Sequence, residues 1–398
     1  MNLIWQVVGS KFKKLFFRFV FYPFCRLLLL ISAPLRALKR RRFLSFKEAP
    51  ATVLLVFFGR GLGDSLLFTG ILESVRKRYP KAELRLATFS QMESYFRDNP
   101  FVDVLIPCPD YFGKGVLGCA RFLSSALEAC KKGPVDLLID LLPNRDLGSV
   151  LWSLIAAKRY SVGVGDPPKQ LFYDLPVSID WKRHYFEALR DAVRPLGIEI
   201  GRPSFWLPPE VSLEELVDRE LALAKCILVA PGGKRNVEAP KDYCWSFGGF
   251  TEVVESLLGE GQRVILLGAD YDRDCLKSLK PHPCLVNLIG KTSLPQLFTL
   301  VRRHAKLVVC NNSALLHLAA VLHIPTVSYA DPQENITRWG PYPNDGRHIV
   351  LQDGKNQKVK PQDFLDAIWK QLTAGPKAIE NNPDTPLPSS ESAVSQDE

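Results

Sequence analysis

The chain has 398 residues, 46% of them hydrophobic and 23% charged, with a formal net charge of +9. That balance excludes a disordered chain, and the length suits two domains of ordinary size better than one core. Eleven of the 51 Lys and Arg lie in the first 50 positions against a single acid, Glu48, so the body is near neutral and does not describe a nucleic-acid groove.

Residues 1–48 read as a basic, hydrophobic arm. The segment KFKKLFFRFVFYPFCRLLLLISAPLRALKRRR is interrupted by Arg18 and Arg26, each costing about 2.5–3.5 kcal/mol at a bilayer centre, and by Pro23 and Pro34. Lys11, Lys14, Arg18 and Arg36 share one side of a helical wheel, with Phe and Leu filling most of the rest. The pattern favours an interfacial helix on anionic headgroups, on the cytoplasmic side, over a spanning helix or a cleaved signal.

From residue 51 buried strands alternate with amphipathic helices. TVLLVFF predicts a strand and 65–78 a helix closing on Arg76, Lys77 and Arg78, where cations suit the dipole. AELRLAT, VDVLIP and VDLLIDLL predict further strands, and GSVLWSLIAA a helix. A Pro-rich and then charged stretch at 203–225 predicts a bridge. Beyond it come CILVAPGG, a helix over 246–258, RVILLGA, LVNLIG, a helix over 294–303, AKLVVCNN, a helix over 313–322, PTVSYAD and a last helix over 361–373. This is the pattern of two parallel-sheet α/β halves, with ligands expected in a cleft lined by the C-terminal ends of both sheets. Nine single cysteines without a C-x-x-C pair suit a reducing compartment, and no zinc cluster is visible.

Three constellations carry chemistry. Gly59, Gly61, Gly63 and Asp64 follow the first strand with spacing G-x-G-x-G-D, which is not the G-x-G-x-x-G of a dinucleotide fingerprint. Asp64 falls at or near the N-cap of the following helix; it is either a cap or a general base for an alcohol. Pro231, Gly232 and Gly233 precede Lys234, Arg235 and Lys241, cations suited to phosphate unless the loop is merely solvated. Asn311, Asn312 and Ser313 end a strand and open a helix, whose free N–H groups at Ser313 and Ala314 suit a diphosphate. His317, one turn in, reads either as a core histidine or as part of that site. The acidic run ADYDRD after RVILLG is expected to be a solvated loop rather than a metal site.

Together these segments resemble glycosyltransferase family 9, which includes the lipopolysaccharide heptosyltransferases, over roughly 52–372. The resemblance rests on Gly63-Asp64, on Pro231-Gly232-Gly233 with Lys241, on Gly268 to Asp272 and on Leu288 to Leu297, which includes Lys291. It rests also on Asn311 to Ala320 and on Arg338 to Tyr342. It implies the α/β GT-B architecture: an acceptor domain over 50–205, a linker over 206–225, a nucleotide-sugar domain over 226–373 and a disordered tail over 374–398. It implies an inverting, metal-independent enzyme without cofactor, moving a heptose or related sugar from a donor such as ADP-heptose to a lipid-linked saccharide acceptor. Asp64 is then the catalytic base. Gly232, Gly233, Lys241, Gly268, Asp272, Lys291, Asn312, Ser313, Ala314 and His317 bind the donor. The arm, over 1–45, would hold the enzyme as a peripheral or monotopic protein on the cytoplasmic face of the bacterial inner membrane. Asn312 stands where the family has an acid and Ala314 where it has glycine, which leaves the donor sugar open. Those two departures motivate the alternative of a membrane-tethered, non-catalytic nucleotide-sugar-binding protein.

Overall fold

The computed structural model describes residues 49–374 apart from 60, 111–114, 132, 143–151, 153–154, 157, 166–169, 171–172, 181, 217–224, 233–243, 332 and 355–356. The basic arm, the tail from 375 and most of the helix expected at GSVLWSLIAA lie outside the described residues. Among the described residues no helix is long and apolar enough to cross a membrane. The chain divides into two compact units, Met1–Ile200 and Gly201–Glu398.

In the first unit, aliphatic runs form β1 (Thr52–Val56), β2 (Glu83–Phe89), β3 (Val104–Cys108), β4 (Val135–Asp140), β5 (Lys158–Val164) and β6 (Leu175–Val177). All pair in parallel, in the order β3-β2-β1-β4-β5-β6. Helices α1 (Leu62–Arg78), α2 (Glu93–Phe96), α3 (Gly115–Cys130) and α4 (Tyr185–Val193) accompany the sheet. Among the boundaries that differ from the expectation, two bear on the site. The hydrophobic run after Thr52 outlasts its strand, because Phe57 and Phe58 are buried in the turn beyond it. Phe57 stacks on Phe68 of α1 with ring centroids 4.1 Å apart, and Phe58 meets Phe89 and Phe122. Helix α1 starts at Leu62 rather than 65, with Gly61 as an extended N-cap.

The second unit repeats the plan with β7 (Cys226–Ala230), α5 (Phe247–Gly259), β8 (Val264–Leu266), β9 (Leu285–Asn287), α6 (Leu294–His304), β10 (Ala305–Asn311), α7 (Ala314–Val321), β11 (Thr326–Tyr329), α8 (Gln333–Trp339), β12 (His348–Leu351) and α9 (Pro361–Thr373). Its parallel order is β12-β11-β10-β7-β8-β9. Counted from each unit's own first strand, both sheets run 3-2-1-4-5-6. Each therefore has a switch point, between β1 and β4 and between β7 and β10, where chain direction across the sheet reverses and loops diverge to leave a crevice. Around β7 the core is held by Trp245, Phe250 and Phe364, with Trp245 stacked on Phe364 at 4.1 Å. Ser246 and Ser293 cap α5 and α6 through their side chains.

Candidate active site

At the switch point of the first sheet, the turn after β1 passes Gly59 and Gly61 and enters α1. Gly61 is the N-cap and Asp64 the third residue of that helix, so Asp64 lies in the first turn near the cap rather than being the cap itself. A side chain at Gly61 would come within 3.3 Å of Asp64 Oδ2, and one at Gly59 within 3.4 Å of its Cβ. Gly61 thus leaves room for a carboxylate over the helix entrance, where the dipole favours an anion, whereas a side chain at Gly59 would first strike the Phe57 ring at 2.4 Å. Asp64 is half-buried.

At the switch point of the second sheet, three loop ends meet. Asn311, the last residue of β10, is fully buried and clamps them. Its Oδ1 accepts the Trp245 N–H at 2.9 Å, and its Nδ2 donates to the Pro231 carbonyl at 2.8 Å and, more weakly, to that of Gly232 at 3.5 Å. Nothing in the pattern of the sequence gives Asn311 this role. Gly232 in turn lies against Asp272: a Cβ there would stand 2.5 Å from Asp272 Oδ2. Gly268 closes the other side, its notional Cβ 3.0 Å from Asp272 Cβ. Oδ2 of Asp272 accepts the Ala269 N–H at 2.9 Å and closes a short 3₁₀ turn over Asp270–Asp272. Burial pushes the Asp272 carboxyl up, with that N–H pulling the other way. Gly232, Gly268 and Asp272 are therefore one contact, and Asn311 ties it to the start of α7.

That start has an unusual polar inventory. Asn312 is 7% exposed and His317 5% exposed, and Ser313 is the N-cap of α7 without a side-chain cap bond. Asn312 Nδ2, Ser313 Oγ and His317 Nδ1 are each buried with no hydrogen-bond partner among the described residues. Only the weakly polar thiol of Cys310, itself pushed up to about 12 by burial, stands beside Ser313. Three such groups within six positions are costly at about 1–3 kcal/mol each unless a ligand meets them. Ser313 and His317 are spaced to share a helix face. Burial lowers the His317 pKa to about 4, so the ring is neutral at pH 7 and acts as a hydrogen-bonding group rather than a cation. Ala314 supplies the first helical N–H.

Lys291 follows β9, exposed, its Nζ donating to the Asn287 carbonyl at 2.8 Å. Gly290, at φ +70°, makes the turn before it and approaches Asp270 within 2.9 Å of a notional Cβ. Gly233 and Lys241, with Lys234 and Arg235, lie outside the described residues. Among the described residues no three His, Cys, Asp or Glu side chains converge as a metal-binding group.

A family model for glycosyltransferase family 9 (heptosyltransferase) matches residues 130–368, more than half of the sequence. The chain belongs to glycosyltransferase family 9. It is thus a glycosyltransferase. Lipopolysaccharide heptosyltransferase 3 of Escherichia coli is 23% identical over 338 residues, spanning 79% of this chain and 93% of that protein. The crystal structure of a family 9 glycosyl transferase from Veillonella parvula superposes with a TM-score of 0.65 at 21% identity, covering 81% of this chain and 97% of that one. E. coli heptosyltransferase WaaC with ADP gives 0.61 at 19% identity, covering 80% and 99%. The α/β fold of two parallel sheets is therefore that of the GT-B heptosyltransferases. In this family 9 chain both switch points carry the polar residues that the motifs single out.

Proposed function

We propose that this chain is an inverting, metal-independent glycosyltransferase that moves a heptose or related sugar from a nucleoside diphosphate donor, ADP-heptose first among them, to a lipid-linked acceptor such as the lipopolysaccharide core. The observation that carries the reading is the group of buried, unpartnered donors at Asn312, Ser313 and His317 around the N-terminus of α7. Their chemistry fits a diphosphate: N–H and O–H groups, helix amides and a neutral imidazole, with Lys234, Arg235 and Lys241, which follow Pro231-Gly232-Gly233 in the sequence, as cations suited to its charge.

The chemistry follows from these groups. The acceptor hydroxyl passes its proton to the Asp64 carboxylate, and its oxygen bonds to the anomeric carbon from the face opposite the diphosphate. The anomeric C–O bond to phosphate breaks with its electron pair going to the diphosphate, so the configuration inverts. Negative charge grows on the leaving group, and the α7 amides with Asn312, Ser313 and His317 stabilise it where it grows, which is the task a divalent cation performs in other transferases. Asn312 in place of an acid removes a repelling charge from this edge. The Gly232–Asp272–Gly268 contact shapes the nucleoside side, with Lys291 at its border. Similarity to proteins named lipopolysaccharide heptosyltransferases supports the acceptor class. The basic arm, over 1–45, supports a peripheral or monotopic place on the cytoplasmic face of the inner membrane.

The test is product mass. Incubated with ADP-heptose and a lipid-linked core acceptor, the protein is expected to add one heptose to the acceptor and release ADP. Transfer from another nucleotide sugar with none from ADP-heptose would overturn the donor assignment.

A further inference from the structure

The second unit joins a polar pair that the mechanism above does not use. β11 lies between β10 and β12 in the sheet, and hydrogen bonds hold the three strands level at their C-terminal ends. The Asn312 N–H donates to the Tyr329 carbonyl at 3.0 Å, and the Ala330 N–H to the Leu351 carbonyl at 3.1 Å. The residues next in line, Asp331 and Gln352, meet through their side chains: Gln352 Nε2 donates to Asp331 Oδ1 at 3.2 Å. Asn335 of α8 donates its Nδ2 to the Asp331 carbonyl at 2.9 Å, so the backbone that carries the carboxylate is tied to that helix.

The pair stands on the sheet edge that opens α7. In the register that pairs Asn311 with Tyr329, Ser313 and Asp331 each follow by two residues. Two residues span at most about 7 Å of chain and neighbouring strands lie about 5 Å apart, which puts Asp331 within reach of a sugar whose diphosphate sits at the α7 start. Asp331 and Gln352 are both half-buried. Among the described residues nothing donates to Asp331 Oδ2 or to Gln352 Oε1, so the pair presents a carboxylate oxygen and an amide oxygen, both acceptors. A diphosphate offers acceptors and negative charge, and such a pair repels it. Hydroxyl groups donate, and the pair matches them. Asn312 Nδ2, buried and without a partner among the described residues, adds one donor to the same edge.

We propose that Asp331, oriented by Gln352, is a specificity-determining residue for the donor: its open carboxylate oxygen accepts hydroxyl groups of the transferred sugar while the α7 start holds the diphosphate. This rests on the reading of α7 as the diphosphate site and adds the group that tells one sugar from another. A sugar hydroxyl that meets the carboxylate makes a charge-assisted hydrogen bond. An epimer that turns the hydroxyl away leaves the carboxylate unmet, and a site built on such a bond rejects the mismatched substrate strongly. A nucleoside diphosphate without a sugar does not reach the pair, so its affinity is independent of Asp331.

The experiment is calorimetric titration of the full chain, without acceptor, using ADP and ADP-heptose as separate ligands. Wild type, Asp331→Ala and Asp331→Asn are compared, with melting temperature measured alongside; the asparagine variant keeps the shape of the side chain, so its fold is expected to survive. Asp331→Ala should weaken ADP-heptose by roughly tenfold or more while ADP stays within about twofold of wild type, and Asp331→Asn should show a smaller loss of the same kind. In the transfer reaction the same variants should raise the donor KM more than they lower kcat. ADP-heptose affinity unchanged in Asp331→Ala would overturn the proposal. ADP and ADP-heptose weakened in equal measure by both variants would overturn it too, and leave Asp331 as a structural residue of the loop. Failure of the underlying reading looks different: a wild type that binds neither ligand removes the diphosphate site itself and the sugar contact with it. A wild type that binds both, with the ratio unmoved in the variants, removes only the sugar contact.

Discussion

Asn311→Asp changes one atom type and nothing of the shape, at the point where the second unit gathers its loops. In the native protein the amide nitrogen donates to the carbonyls of Pro231 and Gly232, and the amide oxygen receives the Trp245 N–H. A carboxylate keeps the second bond and loses the first, placing an anion against two carbonyl oxygens in a fully buried position. One unmade bond to a buried carbonyl is about 1–3 kcal/mol, and the ill-matched buried charge brings the total to about 3–5 kcal/mol at pH 8. The introduced carboxyl escapes by protonating, since its O–H can then donate to Pro231. Its folded pKa is thus raised above the unfolded value near 3.9. Stability tied to such a group is complete below the unfolded pKa and is lost as pH rises toward the folded one. The deficit relative to wild type should accordingly shrink by roughly 2–3 kcal/mol between pH 7 and pH 5. Urea unfolding followed by tryptophan fluorescence at a series of pH values measures this, and calorimetry with ADP measures the associated loss of affinity. A deficit below about 0.5 kcal/mol at pH 8, within the range of ordinary surface changes, or one that does not vary with pH, would refute the clamp.

Acid should destabilise the second unit through His317. Its folded pKa of about 4 lies below the unfolded value, so stability is complete above pH 6.5 and falls by up to roughly 3 kcal/mol as pH drops from 6.5 to 4; His317→Gln should flatten that slope in urea titrations. Burial alone would raise the Asp345 carboxyl, yet the hydrogen bond with His323, at 2.8 Å, and the charges of His348 and Arg347 hold it below the usual range. Asp345→Asn should therefore cost about 1–2 kcal/mol at neutral pH, a deficit that disappears as pH falls through the depressed carboxyl pKa. Gly232→Ala drives a methyl onto Asp272 Oδ2, which the Ala269 N–H holds in place. A loss of about 1–3 kcal/mol in melting experiments, with weaker ADP binding, is expected. Relief on adding Asp272→Ala would confirm that the two share the space.

Periodicity made most of the strands legible, because each sheet is buried on both faces and its strands read as short aliphatic runs. VLLV, LRLA, LLID, ILVA and LVVC all pair where the runs predict. Burial without hydrogen bonding misled at Phe57 and Phe58, since a hydrophobic run marks what is inside and not what is extended. Strand β5 was missed because it begins Lys158-Arg159-Tyr160, and β6, α3, α4, α8 and β12 also went unread. Asp64 and the Asn312–His317 segment stood out by their places after strands. Asn311 did not, because two adjacent asparagines at a strand end look alike until the strand register turns one into the core and the other toward the helix.

In the proposed mechanism Asp64 removes the acceptor proton while the start of α7 holds the diphosphate. The most direct test is Asp64→Asn in the transfer reaction, with ADP affinity measured on the same preparation. The expected result is a fall in turnover of about 10²–10⁴-fold with ADP binding unchanged. Full turnover in that variant, or turnover lost together with ADP binding, would contradict the account.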